Sequence, residues 1–477
     1  MTERKATRFV AVGVKGKDIV EGFGMWMDMD SQLWVLVGLA AGSVGAVALA
    51  WLLFRPSRCL ACYLFFLPLE LYIAPDWHLT FNQVLQGGLV LLLLGVLGSK
   101  RRSESLGIVA TCMGVFWGFL VLSLLWTLDA AATGKTVVRV GLAMASAILL
   151  MALVKDWKQW VSMTSALLLG SGVMAIYGFV QYIRKDFDAI YPFFSPYYNT
   201  DLWLDRGGGF AVVSTFPNPN TLALFGVMLV PIALSRVKGE KGYSLFWFLS
   251  LLAITGVTAL TFSKTAWILI AALLLLWLVV RCGGSMNVMV WGALIVCACV
   301  VIPYLDRIQG GYDLLFPSTM DRSVGPRLIL WSLAYDAFLA RPFFGWGPLA
   351  FAAVTESARD AYGLSPLVHA HNLYLQSFAD MGVIGVGLYL GPFIVTLICG
   401  FIALRRAATQ GLPADRQRLL LGICLALVGF ILGGLGDCLL LSNQYVNLQW
   451  ICLALLASAI RLIRRDGQQR KDLAHES

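Results

Sequence analysis

Charged side chains are scarce in this chain: Asp, Glu, Lys and Arg make up only 13% of 477 residues, against 59% hydrophobic residues. Soluble domains carry roughly a quarter charged residues, so this composition excludes an ordinary water-soluble enzyme. A disulfide framework is also missing. Nearly all of the ten cysteines fall inside or beside apolar runs, and the two longest polar loops contain none. Cys59 and Cys62 form an isolated CxxC with no second pair and no histidine beside it, which reads as small buried apolar residues rather than a metal clip. There is no repeat of fixed period, which speaks against a transporter built from inverted halves. Residues 1–30 mix acidic and basic side chains and have no short apolar core before a cleavage site, so no signal peptide is expected. The net charge of +9 is not gathered into a stripe, and nucleic acid is not an expected partner.

What the chain has in abundance is apolar runs of spanning length. They lie near 32–54, 59–75, 81–98, 106–128, 136–154, 159–181, 218–235, 243–261, 264–281, 286–304, 380–404, 417–438 and 447–463. The fold expected is therefore an all-α polytopic membrane bundle of about 12–13 helices. Basic clusters recur at every second loop: Lys100 to Arg102, Lys155 and Lys158, Arg236 to Lys241, Arg405 to Arg418, and Arg461 to Arg465. Basic loops stay in the cytoplasm, so the alternate loops face outward. Two of those are long, about 182–212 and 305–379. The expected organisation is an N-terminal segment 1–31, helices over 32–304 with the aromatic loop 182–212, a large outward loop 305–379, helices over 380–463 and a cytoplasmic tail 464–477. Arg55 and Arg58 pull against this scheme at the first span, which leaves twelve spans with both ends inside as an alternative.

Candidate chemistry concentrates in the outward loops. Gly325 and Pro326 resemble a helix start, with Leu328, Trp331, Tyr335 and Phe338 at helical spacing and Pro342 as the stop. Arg327 would then lie in the first turn, where free backbone N–H groups favour an anion and a guanidinium can grip phosphate; an arginine there can equally snorkel to headgroups. Arg322 lies just ahead of it. His369 and His371, followed by Asn372, precede Asp380 and the next span; a neutral imidazole is a natural base toward a sugar hydroxyl. As a metal pair the two histidines lack a third His or Cys and a well-spaced carboxylate, so no metal is expected. Asn218 and Asn220, among prolines, mark a span start and a cap. Lys264, in the Thr261 to Thr265 turn, places an ammonium near the outer face. The 187–210 segment carries Tyr191, Tyr197, Tyr198 and Trp203 with Asp205 and Arg206, which suits sugar rings or an interfacial aromatic belt. Glu70, Arg139 and Asp437 are costly inside a bilayer unless paired or lining a cavity.

Together the Phe216 to Asn220 turn, the Ser263 turn, Arg327 to Trp331, the Pro342 to Gly347 run and His371, Asn372, Tyr374, Leu375 with Gly382 and Gly385 make the chain resemble the bacterial O-antigen ligase and polymerase superfamily over roughly 210–400. The resemblance implies a GT-C type helical fold of the bacterial inner membrane with its active site facing the periplasm, using no cofactor and no metal. It further implies transfer of a glycan from undecaprenyl diphosphate to a hydroxyl of lipid A core, protein or a growing glycan. By the same resemblance His371 is the base and Arg327 holds the diphosphate. Family members often have Ser-Arg where this chain has Ser263-Lys264, which keeps the charge and loses the bidentate fork, so Arg206 or Arg322 could fill that role. A lipid-linked sugar transporter, using Glu70, Arg139 and Asp437, is the alternative from another class.

Overall fold

Apolar stretches this long close all their backbone hydrogen bonds only as helices, and helices are what the computed structural model shows. It describes residues 55–74, 79–98, 107–185, 210–238, 243–281, 325–364, 368–438, 440 and 442–476. In chain order these form α1 (Pro56–Phe66), a minimal antiparallel pair β1 (Tyr72–Ala74) and β2 (Leu79–Thr80), α2 (Phe81–Gly98), α3 (Gly107–Leu122), α4 (Ala130–Leu153) and α5 (Trp157–Arg184). Then come α6 (Pro219–Arg236), α7 (Ser244–Ala259), α8 (Lys264–Arg281), α9 (Gly325–Ala340), the short α10 (Phe351–Val354) and α11 (Glu356–Ala361), α12 (Leu373–Thr409), α13 (Ala414–Gly433) and α14 (Asn443–Glu476).

Among the described residues eight helices are long and apolar enough to cross a membrane, with α2 and α7 as shorter apolar helices. The chain is an all-α polytopic membrane protein. The expected spans at 32–54 and 286–304 lie outside the described residues. So do Arg206, Arg322 and residues 186–209 of the aromatic loop, whose expected first residues, 182–184, instead continue α5. The expected 59–75 span is not one continuous helix: α1 ends at Phe66, and a tight turn through Glu70, whose φ is +34°, leads into the β pair.

α6 is buried along nearly its whole length and α14 through its apolar stretch up to Ile463, while less than a third of the apolar stretch of α3 or α8 is buried. Close approach at the centre depends on small residues: a Cβ on Gly422 of α13 would stand 2.6 Å from the Pro231 carbonyl of α6. Outward faces carry Leu91, Ile108, Ile176 and Leu245, all more than half exposed, as lipid-facing positions should be.

The described basic clusters gather at one end. There Arg418 donates to the Lys238 carbonyl at 2.6 Å, Arg461 donates to the carbonyls of Met151 and Val154 at 2.6 Å each, and the Trp157 indole donates to Asp466 at 2.9 Å. The opposite end holds the turns before α4, α6, α8, α12 and α14. The recurrence of basic residues at alternate loops is thus matched by the geometry of the described bundle.

Candidate functional site

At that second end α12 is interrupted, and the interruption builds the site. Gly382 breaks the helix with φ +62° and ψ −174°. Into the break the run from Pro342 to Gly347 lays its backbone alongside α12. Val383 donates to the Pro342 carbonyl at 2.8 Å, Ile384 to Phe343 at 3.2 Å, Trp346 to Ala379 at 3.1 Å and Gly347 to Asp380 at 2.8 Å. A Cβ on Gly345 or Gly382 would collide with the facing backbone, and both residues have positive φ, so glycine is required twice over. The buried Asp380 side chain locks the joint by accepting from the backbone N–H of Leu349 at 3.1 Å and of Phe351 at 2.9 Å.

α9 packs on the short N-terminal arm of α12 that this break creates. It ends at Ala340, just before Pro342, as its sequence predicts. The face it packs is set by small residues rather than by the spaced large ones. Leu328 and Tyr335 are more than half exposed, and the packed face is Leu330, Ala334 and Ala337 against Phe351, Ala370 and Ala379. Ala334 and Ala337 let the helix approach the arm closely, while Leu328 and Tyr335 are left on the outer surface. The Trp331 indole donates to the Ala370 carbonyl at 3.0 Å, and Gln376 accepts from the Ala370 N–H at 2.8 Å. The residue between the two histidines is therefore held from both sides.

With Ala370 held and His371 in the left-handed region at φ +50°, the two imidazoles turn to the same side, their ring centres 4.0 Å apart. On a helix residues two apart would diverge. Asp437, from the turn between α13 and α14, supplies what both rings face. Its Oδ1 lies 3.1 Å from His371 Nδ1 and 3.5 Å from His369 Nε2, and it also accepts the Cys438 N–H at 2.8 Å. Burial alone would raise the Asp437 pKa. The hydrogen bonds and charge of the two histidines outweigh it and hold the carboxyl well below the usual carboxylate range. An ionised carboxylate only accepts, so the proton of neutral His371 sits on Nδ1 and its Nε2 keeps a bare lone pair. Burial pushes the His371 pKa below its ordinary value; the Asp437 hydrogen bond and charge pull it up, while His369 and the Arg327 guanidinium push it down. Arg327 is thus close enough for its charge to act on the imidazole.

Half-buried Arg327 sits in the first turn of α9, which carries no acidic residue. A cation at the positive end of a helix is disfavoured by about 0.3–1 kcal/mol, so an anion placed there would satisfy both. Lys264 is exposed at the start of α8, and its neighbour Thr265 packs against Gly436, one residue from Asp437. Asn372 accepts from the backbone N–H groups of Tyr374 and Leu375 at 3.0 and 3.1 Å, capping α12, and Asn218 caps α6 by accepting from Thr221 at 2.9 Å. Those carboxamide oxygens are engaged in helix capping. Asn220 lies half-buried in the first turn of α6.

Residues 248–390 match the O-antigen ligase family. The match supports the O-antigen ligase and polymerase superfamily, a class of membrane enzymes with glycosyltransferase-like activity, and it spans Lys264, Arg327 and His371. No curated protein matches the chain. Asp437 lies outside the matched O-antigen ligase residues and was not among the site residues expected from sequence. Its one signal is energetic: a carboxylate at the edge of an apolar run demands a partner. Glu70 and Arg139 have structural occupations near the same turn. Asn443 donates to Glu70 at 2.7 Å, and Arg139 donates to the Leu440 carbonyl at 3.0 Å.

Proposed function

We propose that this chain transfers a glycan from undecaprenyl diphosphate to an acceptor hydroxyl at the periplasmic face of the bacterial inner membrane, in the manner of an O-antigen ligase. The observation that carries the reading is the 3.1 Å contact between His371 Nδ1 and the buried Asp437 carboxylate, made within the field of Arg327. Asp437 fixes the imidazole orientation and tautomer, and His371 Nε2 takes the proton of the acceptor hydroxyl as it attacks the anomeric carbon. The bond from that carbon to the diphosphate oxygen breaks, and the leaving diphosphate departs as an anion. Arg327, at the positive end of the α9 dipole, stabilises the charge that develops there. Lys264, Arg322 and Arg206 are proposed to add positive charge around the diphosphate. His369, Asn372, Asn218 and Asn220 are proposed to border the bound substrate, and the 182–212 loop to cover its sugars. Each group in this scheme is a side chain or backbone amide, so no step calls for a metal.

The test is reconstitution of purified protein with undecaprenyl-diphosphate glycan, offering lipid A core, a protein acceptor or lipid-linked glycan, with and without EDTA. Transfer that survives chelation and is lost in His371→Ala is the expected result. The acceptor extended identifies ligation or polymerisation. Transfer undiminished in His371→Ala rejects the assigned base. The transporter reading predicts instead that changes at Glu70 and Arg139 abolish activity while the His371 change does not.

A further inference from the structure

We propose that His369, His371 and Asp437 form a binding site for a borderline-soft divalent cation, Zn2+ above all, and that its occupation switches off the base. The sequence shows a histidine pair with no third ligand; the fold brings Asp437 across 66 residues of chain to complete a set of two imidazoles and a carboxylate. Their ligand atoms all lie within 4.8 Å of one another, with two of the separations 3.1 and 3.5 Å. Ligands about 2.0–2.1 Å from a tetrahedral zinc stand about 3.3 Å apart, so the two edges from Asp437 are already present and the third, between the imidazoles, is no longer than 4.8 Å. Two imidazoles and one carboxylate, leaving a fourth position open to water, are a donor set that imidazole-preferring metals take in place of Mg2+ or Ca2+. His369 Nδ1 has no hydrogen-bond partner among the described residues. The support that usually stiffens a resident metal ligand is missing there, so the site suits reversible occupation.

The inhibitory half rests on the reading of His371 as base. A neutral imidazole carries one proton. A cation on His371 Nδ1 displaces that proton to Nε2, the atom that must be bare to accept the acceptor hydroxyl proton. Binding therefore needs no net proton release, and it closes the lone pair used in transfer.

The experiment is titration of the purified, EDTA-stripped full chain with Co2+ as a spectroscopic stand-in for Zn2+, followed by glycan transfer with and without Zn2+. One Co2+ per chain is expected, with the visible bands of a low-coordinate nitrogen and oxygen site and without thiolate charge-transfer absorption. His369→Ala and Asp437→Asn should each weaken binding roughly tenfold or more. Zn2+ should stop transfer, and EDTA should restore it. No uptake, thiolate absorption, or uptake unchanged in both variants overturns the site while leaving the transferase reading intact. Uptake at these residues with transfer undiminished overturns the switch and the Nε2 assignment together. If the metal-free chain transfers nothing, the transferase reading and the switch fall, while the Co2+ spectrum still decides the site.

Discussion

At the residue scale the chemistry turns on one carboxylate oxygen that serves two imidazoles. Asp437 is buried and ionised, and removing its charge leaves His371 free to rotate and to adopt either tautomer. Asp437→Asn is expected to lower the transfer rate by roughly a hundredfold, within the range that positioned acid–base groups contribute, while donor affinity changes little. Rates and donor KM measured on reconstituted protein check this; a loss confined to KM would contradict a positioning role. The pH dependence has a definite sign. His371 works when neutral and its pKa lies below the ordinary value, so in EDTA-treated protein transfer should stay high through neutral pH and fall only below the usual histidine range. Asp437 raises that pKa, so in the Asn variant the acidic limb should move lower still while the plateau drops. An acidic limb above the ordinary histidine value would contradict the burial that depresses it.

At the scale of the element the decisive feature is the break in α12. The run from Pro342 to Gly347 and the break at Gly382 hold each other by four backbone hydrogen bonds, and they set the direction of the arm that carries the histidines. Gly382→Ala requires a Cβ where the Phe343 backbone already lies, at a positive φ that an L-residue resists. It should reduce folded yield and abolish transfer. Gly387→Ala, in the same helix with nothing within 4 Å of the added carbon, should leave both at or above the wild-type level, since alanine is the better helix former. Folded yield by size-exclusion chromatography separates the two. The helical period at Leu328, Trp331, Tyr335 and Phe338 was legible as a helix, yet the face it packs was not. Contact with α12 favours the small side chains Ala334 and Ala337, and hydrophobicity alone does not reveal which face will find a close partner.

Across the whole molecule the described basic clusters sort to one end and the histidines to the other. An impermeant maleimide should therefore label Tyr362→Cys in intact spheroplasts, and Thr409→Cys only after the membrane is permeabilised. The reverse pattern would put the histidine end inside the cell and reject a periplasmic site. What the amino-acid sequence determined by itself was the solvent and the alternation of ends, because apolar length and basic clusters are local properties of successive runs. It also showed which loop carries an imidazole and a guanidinium. Only the tertiary structure decided that His369 and His371 share a face, since that depends on a left-handed residue between a pinned alanine and a helix cap. It alone joined Asp437 to them, because a contact 66 residues away depends on how α13 and α14 pack against α12 and leaves no periodic trace in the chain.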